Sequence, residues 1–426
     1  MRIKPIVIGT WFIGLLLVAL STQCVERRHI INTNFAWQYQ EENSSLNVET
    51  RLYHQADERS LLYFKIPAGL LKSKSPRENF PAIGRLLVRY KIYKNYESSK
   101  FSDSASMFFE FTEDEVFLPI EKSIEIKTDR IKKGVIDLNF IDLNQGPIFK
   151  TAIAFDKSSN AFPQHDFLLT TTQGDIIYQN HLTVLKPFMV FYRNEKLRKL
   201  YVRYYDEKTY NLPPPPFQEI LEKFKLPQAA DSGYIRNPDT LLPQKAGLIH
   251  IRSERWEDHG LAVLIHEAPY PEVGFTPQLV APVRYLTTEK EFQRLSTAPE
   301  TKQALDDFWL NAGGNIDKAR ALLRSYYGRV QMSNRLFSAC RQGWQTDRGM
   351  IYVIMGPPDQ VFRSDGEETW TYTNQTFQAP LTFYFKKMSH PWCENEFELM
   401  RSLQYRTLWY ANIEAWRKGR IDTNRP

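Results

Sequence analysis

The sequence predicts a mainly β protein with an α+β C-terminal domain: two tandem antiparallel β-sandwich domains followed by a helix-plus-sheet domain. Three observations predict it. Apolar and polar residues alternate with period two over the first two thirds of the chain, with turn signals every 8–12 residues or so. The period lengthens to three and four after Pro299. Aromatic residues make up 14% of the 426 residues while Gly numbers 19, which suits sheets packed through rings better than a Gly-rich nucleotide-binding fold. At about 150 residues per domain, the length fits roughly three domains.

The N-terminus reads as an address, residues 1–23. Arg2 and Lys4 precede an uncharged apolar run from Ile6 to Leu20, and Cys24 follows after Ser21-Thr22-Gln23. The run is shorter than the roughly 20 residues of a spanning helix, which favours a signal peptide. Cys24 stands where a bacterial lipoprotein carries its acylated cysteine, although Gln23 and the placing of Leu20 depart from the usual lipobox. We read Cys24 as a lipidation site. Cleavage after Ser21 and an uncleaved anchor, favoured by Arg27 and Arg28, are the alternatives.

Residues 33–157 alternate through Leu46–Leu52, Leu87–Tyr93, Phe108–Phe111, Ile124–Lys127 and Ile136–Phe140, a sandwich signature. Lys157–Pro163 is a linker. Residues 164–286 continue with strands at Asp175–Tyr178, Leu200–Tyr205, Leu248–Ile251, Leu261–Ile265 and Leu279–Val283. Within this segment Pro213–Pro216 is a stiff polyproline stretch without backbone donors, read as a loop held open rather than a proline-recognition ligand. Thr287–Pro299 is the second linker. The last domain, 296–426, opens with helices over Pro299–Leu310 and Ile316–Phe337, separated by Gly313-Gly314 and capped by Asn315. Leu323, Tyr327, Val330, Asn334 and Phe337 form its core stripe. Strands follow at Met350–Met355, Glu368–Tyr372 and Leu381–Phe385, the first two joined through an Asp365-Gly366 turn, and Tyr405–Gly419 closes the chain as a helix.

Chemical motifs are sparse. Lys+Arg 55 against Asp+Glu 49 leaves +6, scattered rather than clustered, which argues against nucleic acid as a partner. No two histidines have zinc-protease spacing, although His250, His259 and His266 could converge across strands. There is no nucleophile elbow, phosphate loop or dinucleotide fingerprint. Cys393 beside His390 and Glu394 is better read as packed or disulfide-bonded than as a thiol catalyst. Cys340 and Cys393 are a possible disulfide, two free thiols being the alternative. Asp306-Asp307 and Glu367-Glu368 read as solvated charge. The sequence therefore assigns no catalytic residue, metal or cofactor.

One stretch is distinctive. Gly343-Trp344-Gln345-Thr346-Asp347-Arg348-Gly349 leads to Gly356-Pro357-Pro358-Asp359, with Phe308-Trp309 and Arg335-Leu336-Phe337 upstream and Glu368–Tyr372 downstream. It resembles the GWxTD domain of bacterial, largely Bacteroidetes-type, envelope proteins over about 300–385. The resemblance implies an exported protein, often a lipoprotein, without established catalytic residues. Read physically, the motif is a junction: Gly343 as a left-handed C-cap, Trp344 as a lock between helix and sheet, and Thr346 and Asp347 as turn-forming acceptors. Arg348 would pair with Asp347 or Asp359 or stay exposed, and Gly356, Pro357 and Asp359 would turn the chain. A ligand site built on Asp347 and Arg348 is the rival. The expected function is that of an exported, lipid-anchored envelope protein acting as a non-catalytic scaffold or interaction module. Its partners would be the membrane and another envelope protein, at the periplasm or outer membrane. An envelope hydrolase or a glycan- or peptide-binding protein is the alternative function, and a soluble periplasmic or inner-membrane form the alternative location.

Overall fold

A computed structural model describes residues 30–40, 48–75, 81–128, 131–159, 161–206, 212–220, 228–373, 380–388 and 392–421. The apolar run, Cys24, His29 and His390 lie outside the described residues. No helix among the described residues is long and apolar enough to cross a membrane. The chain is mainly β, with most of its helices near the C-terminus.

The first sandwich packs a sheet of β1 (Glu49–His54), β2 (Arg59–Ile66) and β6 (Ile120–Lys127) on a larger one. The larger sheet contains β3 (Ser73–Lys74), β4 (Ile83–Tyr93), β5 (Phe101–Thr112), β7 (Lys133–Asp142) and β8 (Gly146–Asp156). β4 lies between β5 and β7, and β8 lies beyond β7. Leu86, Val88, Tyr90 and Ile92 of β4 point inward onto Leu62, Phe64 and Ile66 of β2, as period two requires. A short helix α1 (Glu113–Val116) follows β5, opened by a capping box between Thr112 and Glu115.

The second sandwich pairs β9 (Phe167–Thr171), β11 (Phe188–Tyr192) and β14 (Asp239–Leu241) in one sheet. The other is ordered β10 (His181–Thr183), β16 (Leu261–His266), β15 (Gly247–Arg252), β12 (Lys199–Asp206) and β13 (Asp231–Arg236). Every residue of β15 and β16 is buried. One face meets the sandwich core. The other, with Tyr205, Leu248, Ala262 and Leu264, meets Cys340, Trp392 and Cys393. Two sequence readings are corrected here. Asp175–Tyr178 contributes only an isolated bridge between Thr170 and Ile176. Leu279–Val283 is helical: α2 (Thr276–Val280) runs into a 3-10 turn, Ala281–Leu286. Pro277 suits a helix start and Pro282 offers no donor to a ladder.

The last domain is built on α3 (Glu289–Ser296), α4 (Thr301–Gly313), α5 (Ile316–Phe337), α6 (Asp347–Met355) and α7 (Arg406–Arg417). These pack on the antiparallel meander β17 (Gln360–Ser364), β18 (Glu367–Tyr372), β19 (Leu381–Lys387) and β20 (Phe397–Leu399). The Asn315 side chain caps α5 through the Lys318 N–H at 2.9 Å, and Gly314 ends α4 at φ +72°. The second linker is largely α3, opened by a Thr288/Glu291 capping box. Met350–Met355 is helix α6, not a strand. Its run of bulky residues is buried all round, a pattern whose period cannot separate strand from helix. The Asp365-Gly366 turn instead joins β17, which the sequence reading missed, to β18.

Two segments from elsewhere in the chain are bound into this domain. Residues 30–40 form a strap: the Phe35 N–H donates to the Val361 carbonyl at 2.8 Å and Asn34 Oδ1 accepts from the Val361 N–H at 2.9 Å. Ile30, Phe35, Ala36 and Tyr39 enter the C-terminal core. The strap also reaches the first sandwich, where Gln38 donates to the Lys150 carbonyl of β8 at 2.8 Å, so this edge strand is not left open. The second segment is Pro213–Phe217, whose Pro216 carbonyl accepts from the Ser402 N–H at 3.1 Å.

Candidate functional site

The motif occupies the passage from α5 to α6. Gly343 does not have positive φ, and α5 already ends at Phe337, so the expected left-handed cap is corrected. Its glycine is required by contact. A Cβ there would sit 1.8 Å from the Ser333 carbonyl oxygen, and one on Gly349 would sit 2.0 Å from that of Gly343. Two backbones therefore touch where side chains would part them. Trp344 is buried, its indole N–H donates to Gln342 at 2.7 Å, and its carbonyl accepts from the Tyr285 hydroxyl at 2.9 Å. Thr346 is the N-cap of α6: Oγ1 accepts from the Gly349 N–H at 3.0 Å and donates to the Gly343 carbonyl at 2.7 Å.

Asp347 and Arg348, adjacent in sequence, face different ways, because neighbours on a helix do not meet. Asp347 accepts from Arg401 through both oxygens, at 2.6 and 3.1 Å, and from the Leu399 N–H at 2.7 Å. Arg348 is buried, not exposed, and pairs with neither Asp347 nor Asp359. It donates to Glu368 at 3.4 Å and to the Asn395 carbonyl at 2.9 Å, and lies 4.1 Å from the Phe397 ring centroid. Asp359 instead accepts from the Thr373 N–H at 2.6 Å. Gly356, at φ +83°, ends α6 and leaves space for the Arg329 guanidinium, while Pro357 and Pro358 return the chain toward β17.

Glu368 is 2% exposed, which corrects its reading as solvated charge. It accepts from the Trp370 indole at 2.7 Å, the strap's Tyr39 hydroxyl at 2.9 Å, Arg363 at 2.9 Å and Arg348. Burial pushes its carboxyl up, but the Arg348 and Arg363 guanidiniums outweigh that and hold it below the usual range. The signal was present in the sequence: period two places Glu368 on the face of Trp370 and Tyr372.

Beside this network a cleft of about 540 Å³ opens between the first sandwich and the C-terminal domain. Lys94 and Lys133 line one side, Arg348, Lys387 and Glu394 the other. Glu394 accepts from Gln164, and Gln164 accepts from Asn180 at 3.4 Å, which in turn accepts from Arg51 of β1 at 2.6 Å. This chain of bonds joins all three parts of the molecule. Burial pushes the Glu394 carboxyl up to about 8 and the neighbouring Lys387 ammonium down, despite their mutual attraction. Cys340 and Cys393 form a disulfide, with Cα atoms 5.9 Å apart, beside Glu394.

The histidines do not converge. His250 stacks on Trp392 with centroids 4.5 Å apart, His266 lies 4.0 Å from Tyr270, and His259 is exposed. Burial keeps His54 and His165, 5.4 Å apart, neutral, pushed down to about 2 and about 3. Among the described residues no group of three His, Cys, Asp or Glu side chains could hold a metal ion.

Residues 247–418 match the family model of the GWxTD domain. The chain carries a GWxTD domain. The match starts at the first residue of β15 and ends just beyond α7, so it takes in β15, which pairs with β12 in the second sandwich, and its neighbour β16, as well as the helical layer. The strap and Pro213–Phe217 lie outside it and complete the packing of the GWxTD domain. A search of curated proteins found no match to the chain.

Proposed function

We propose that this is an exported envelope protein, lipid-anchored at Cys24, in which the GWxTD domain is a non-catalytic scaffold and protein-interaction module. One observation carries the reading. The motif's polar side chains are spent on partners inside the fold, and the Glu368 network takes Tyr39 from the segment that follows the apolar run. A motif so engaged acts as a clasp. Only five residues separate Cys24 from Ile30, whose side chain is buried in the C-terminal core. At about 3.3–3.6 Å per residue, an anchor at Cys24 would hold the GWxTD domain within roughly 20 Å of the bilayer.

The test of the anchor is metabolic labelling with a fatty acid. Wild type should label and sediment with membranes, and Cys24→Ala should do neither. An unlabelled wild type whose mature chain begins at Thr22 would contradict the anchor. Cross-linking in the native envelope followed by mass spectrometry tests the scaffold reading, which predicts recurrent protein partners on the GWxTD domain. Ligand binding is the second reading, favoured by the cleft and its neutral Glu394 carboxyl.

A further inference from the structure

Pro213–Phe217 is engaged in the manner of a bound peptide. A run of prolines offers carbonyl oxygens and ring faces but no N–H donors, so whatever recognises it must donate and stack. The GWxTD domain does both. Arg401 donates to the Pro214 carbonyl at 3.3 Å and the Ser402 N–H to the Pro216 carbonyl at 3.1 Å. Phe217 then lies against Tyr410, with ring centroids 5.4 Å apart, and under Arg406 at 5.8 Å. The Gln218 N–H closes on the Pro215 carbonyl at 2.9 Å, turning the chain away after the aromatic residue.

The strip that receives this segment is tied to the motif. Arg401 is the guanidinium that Asp347 fixes through both carboxylate oxygens, so the motif's acid orients the donor that meets Pro214. The strip also extends past its occupant. Met400 and Leu403, which flank Arg401-Ser402, are 54% and 75% exposed, and Tyr410 is 51% exposed even with Phe217 against it. A larger segment than Pro213–Phe217 would cover them.

We propose that Arg401, Ser402, Arg406 and Tyr410 form a recognition site for an extended proline-rich segment of a partner protein. Pro213–Phe217 is its intramolecular occupant, which an incoming segment displaces. The partner segment is a polyproline stretch that ends in an aromatic residue and carries a further apolar residue to reach Met400 and Leu403. The inference deepens the interaction-module reading and rests on it. Held in cis, the occupant has the advantage of a high effective concentration, so the site binds in trans only when the occupant is removed or outcompeted.

The experiment uses the full chain with the occupant rewritten: Pro213→Gly, Pro214→Ser, Pro215→Gly, Pro216→Ser and Phe217→Gly together. The probe is a labelled peptide of residues 212–219, followed by fluorescence anisotropy, with the same peptide carrying Gly and Ser in place of the prolines as control. The rewritten chain should bind the proline peptide at least about tenfold more tightly than wild type does, and Tyr410→Ala should remove that gain. No binding to a rewritten chain that still melts cooperatively, or binding indifferent to Tyr410→Ala or to the loss of the prolines, would overturn the proposal. If the rewritten chain does not fold, a peptide with a photoreactive phenylalanine at the Phe217 position is used in excess on wild type. Cross-linking within residues 399–410 supports the site, and its absence there overturns it. A wild-type dimer formed by exchange of Pro213–Phe217 would replace the foreign partner by a second copy and overturn the assignment. The peptide assay does not involve the envelope, so its failure removes the proline site alone. The scaffold reading falls instead on the envelope cross-linking.

Discussion

Glu368 and Glu394 are two glutamates held in the same domain with opposite outcomes. Burial pushes both carboxyls up. Glu368 has two guanidiniums within hydrogen-bonding reach, together with Tyr39 and Trp370, and stays below the usual range. Glu394 has Gln164 on one oxygen and, among the described residues, no partner on the other, while Lys387 and Arg51 act on it without a direct bond, and its carboxyl rises to about 8. Contact with cations, more than depth, decides which of them ionises. The pair also separates two uses of buried charge. The saturated network fixes the clasp; the unsaturated one, on the cleft, leaves room for a change of state.

The largest expected effect tests the saturated side. Glu368→Ala strands Arg348 and Arg363 and should cost about 3–5 kcal/mol in denaturant melts of the full chain. Trp344→Ala should cost a similar amount, about 3–5 kcal/mol, through the cavity it leaves in a packed core. A loss below about 1 kcal/mol for either would mean that the junction is not what holds the domain. Thr346→Ala removes the α6 cap and should cost about 0.5–2 kcal/mol by the same measurement.

The smallest effect lies on the cleft, and its sign is the informative part. Folded Glu394, at about 8, holds a proton that the unfolded chain gives up near the ordinary 4.5. Raising the pH through that window therefore costs stability. Glu394→Gln stays neutral and escapes the loss, so its melting temperature should exceed that of wild type at pH 8 and converge with it toward pH 5. The neutral His54 and His165 act in the other direction below their ordinary 6.5, stabilising the fold less as the pH falls, so variants are compared at each pH. Identical wild-type and Glu394→Gln profiles would break the contrast between the two glutamates.

Much of the architecture was legible because it is periodic. The alternation in β4 and the helical stripe on α5 named their own faces, and Asn315 and Gly314 marked helix ends by cap chemistry. The motif was legible as a junction, yet its partners were not. Asp347 finds Arg401, and Arg348 finds Asn395, across about fifty residues of chain that no local pattern links. Met350–Met355 misled because a helix buried on all sides shows no polar face to set its period. Glu368 is legible from its alternation with Trp370 and Tyr372, which points it inward, whereas solvated charge is the right reading only for Glu367 on the opposite face. The strap could not be foreseen at all, since Phe35 and Tyr39 have no regular pattern and dock on strands more than three hundred residues away.

On the proposed reading the motif acts through the fold. Asp347→Ala in the full chain tests it most directly, read by chemical denaturation beside envelope cross-linking. Removing one partner of the buried Asp347–Arg401 pair should cost about 3–5 kcal/mol, more than a turn residue would, with any loss of cross-linked partners tracking the fraction unfolded. An unchanged denaturation curve together with lost partners would contradict the clasp and make Asp347 a recognition residue.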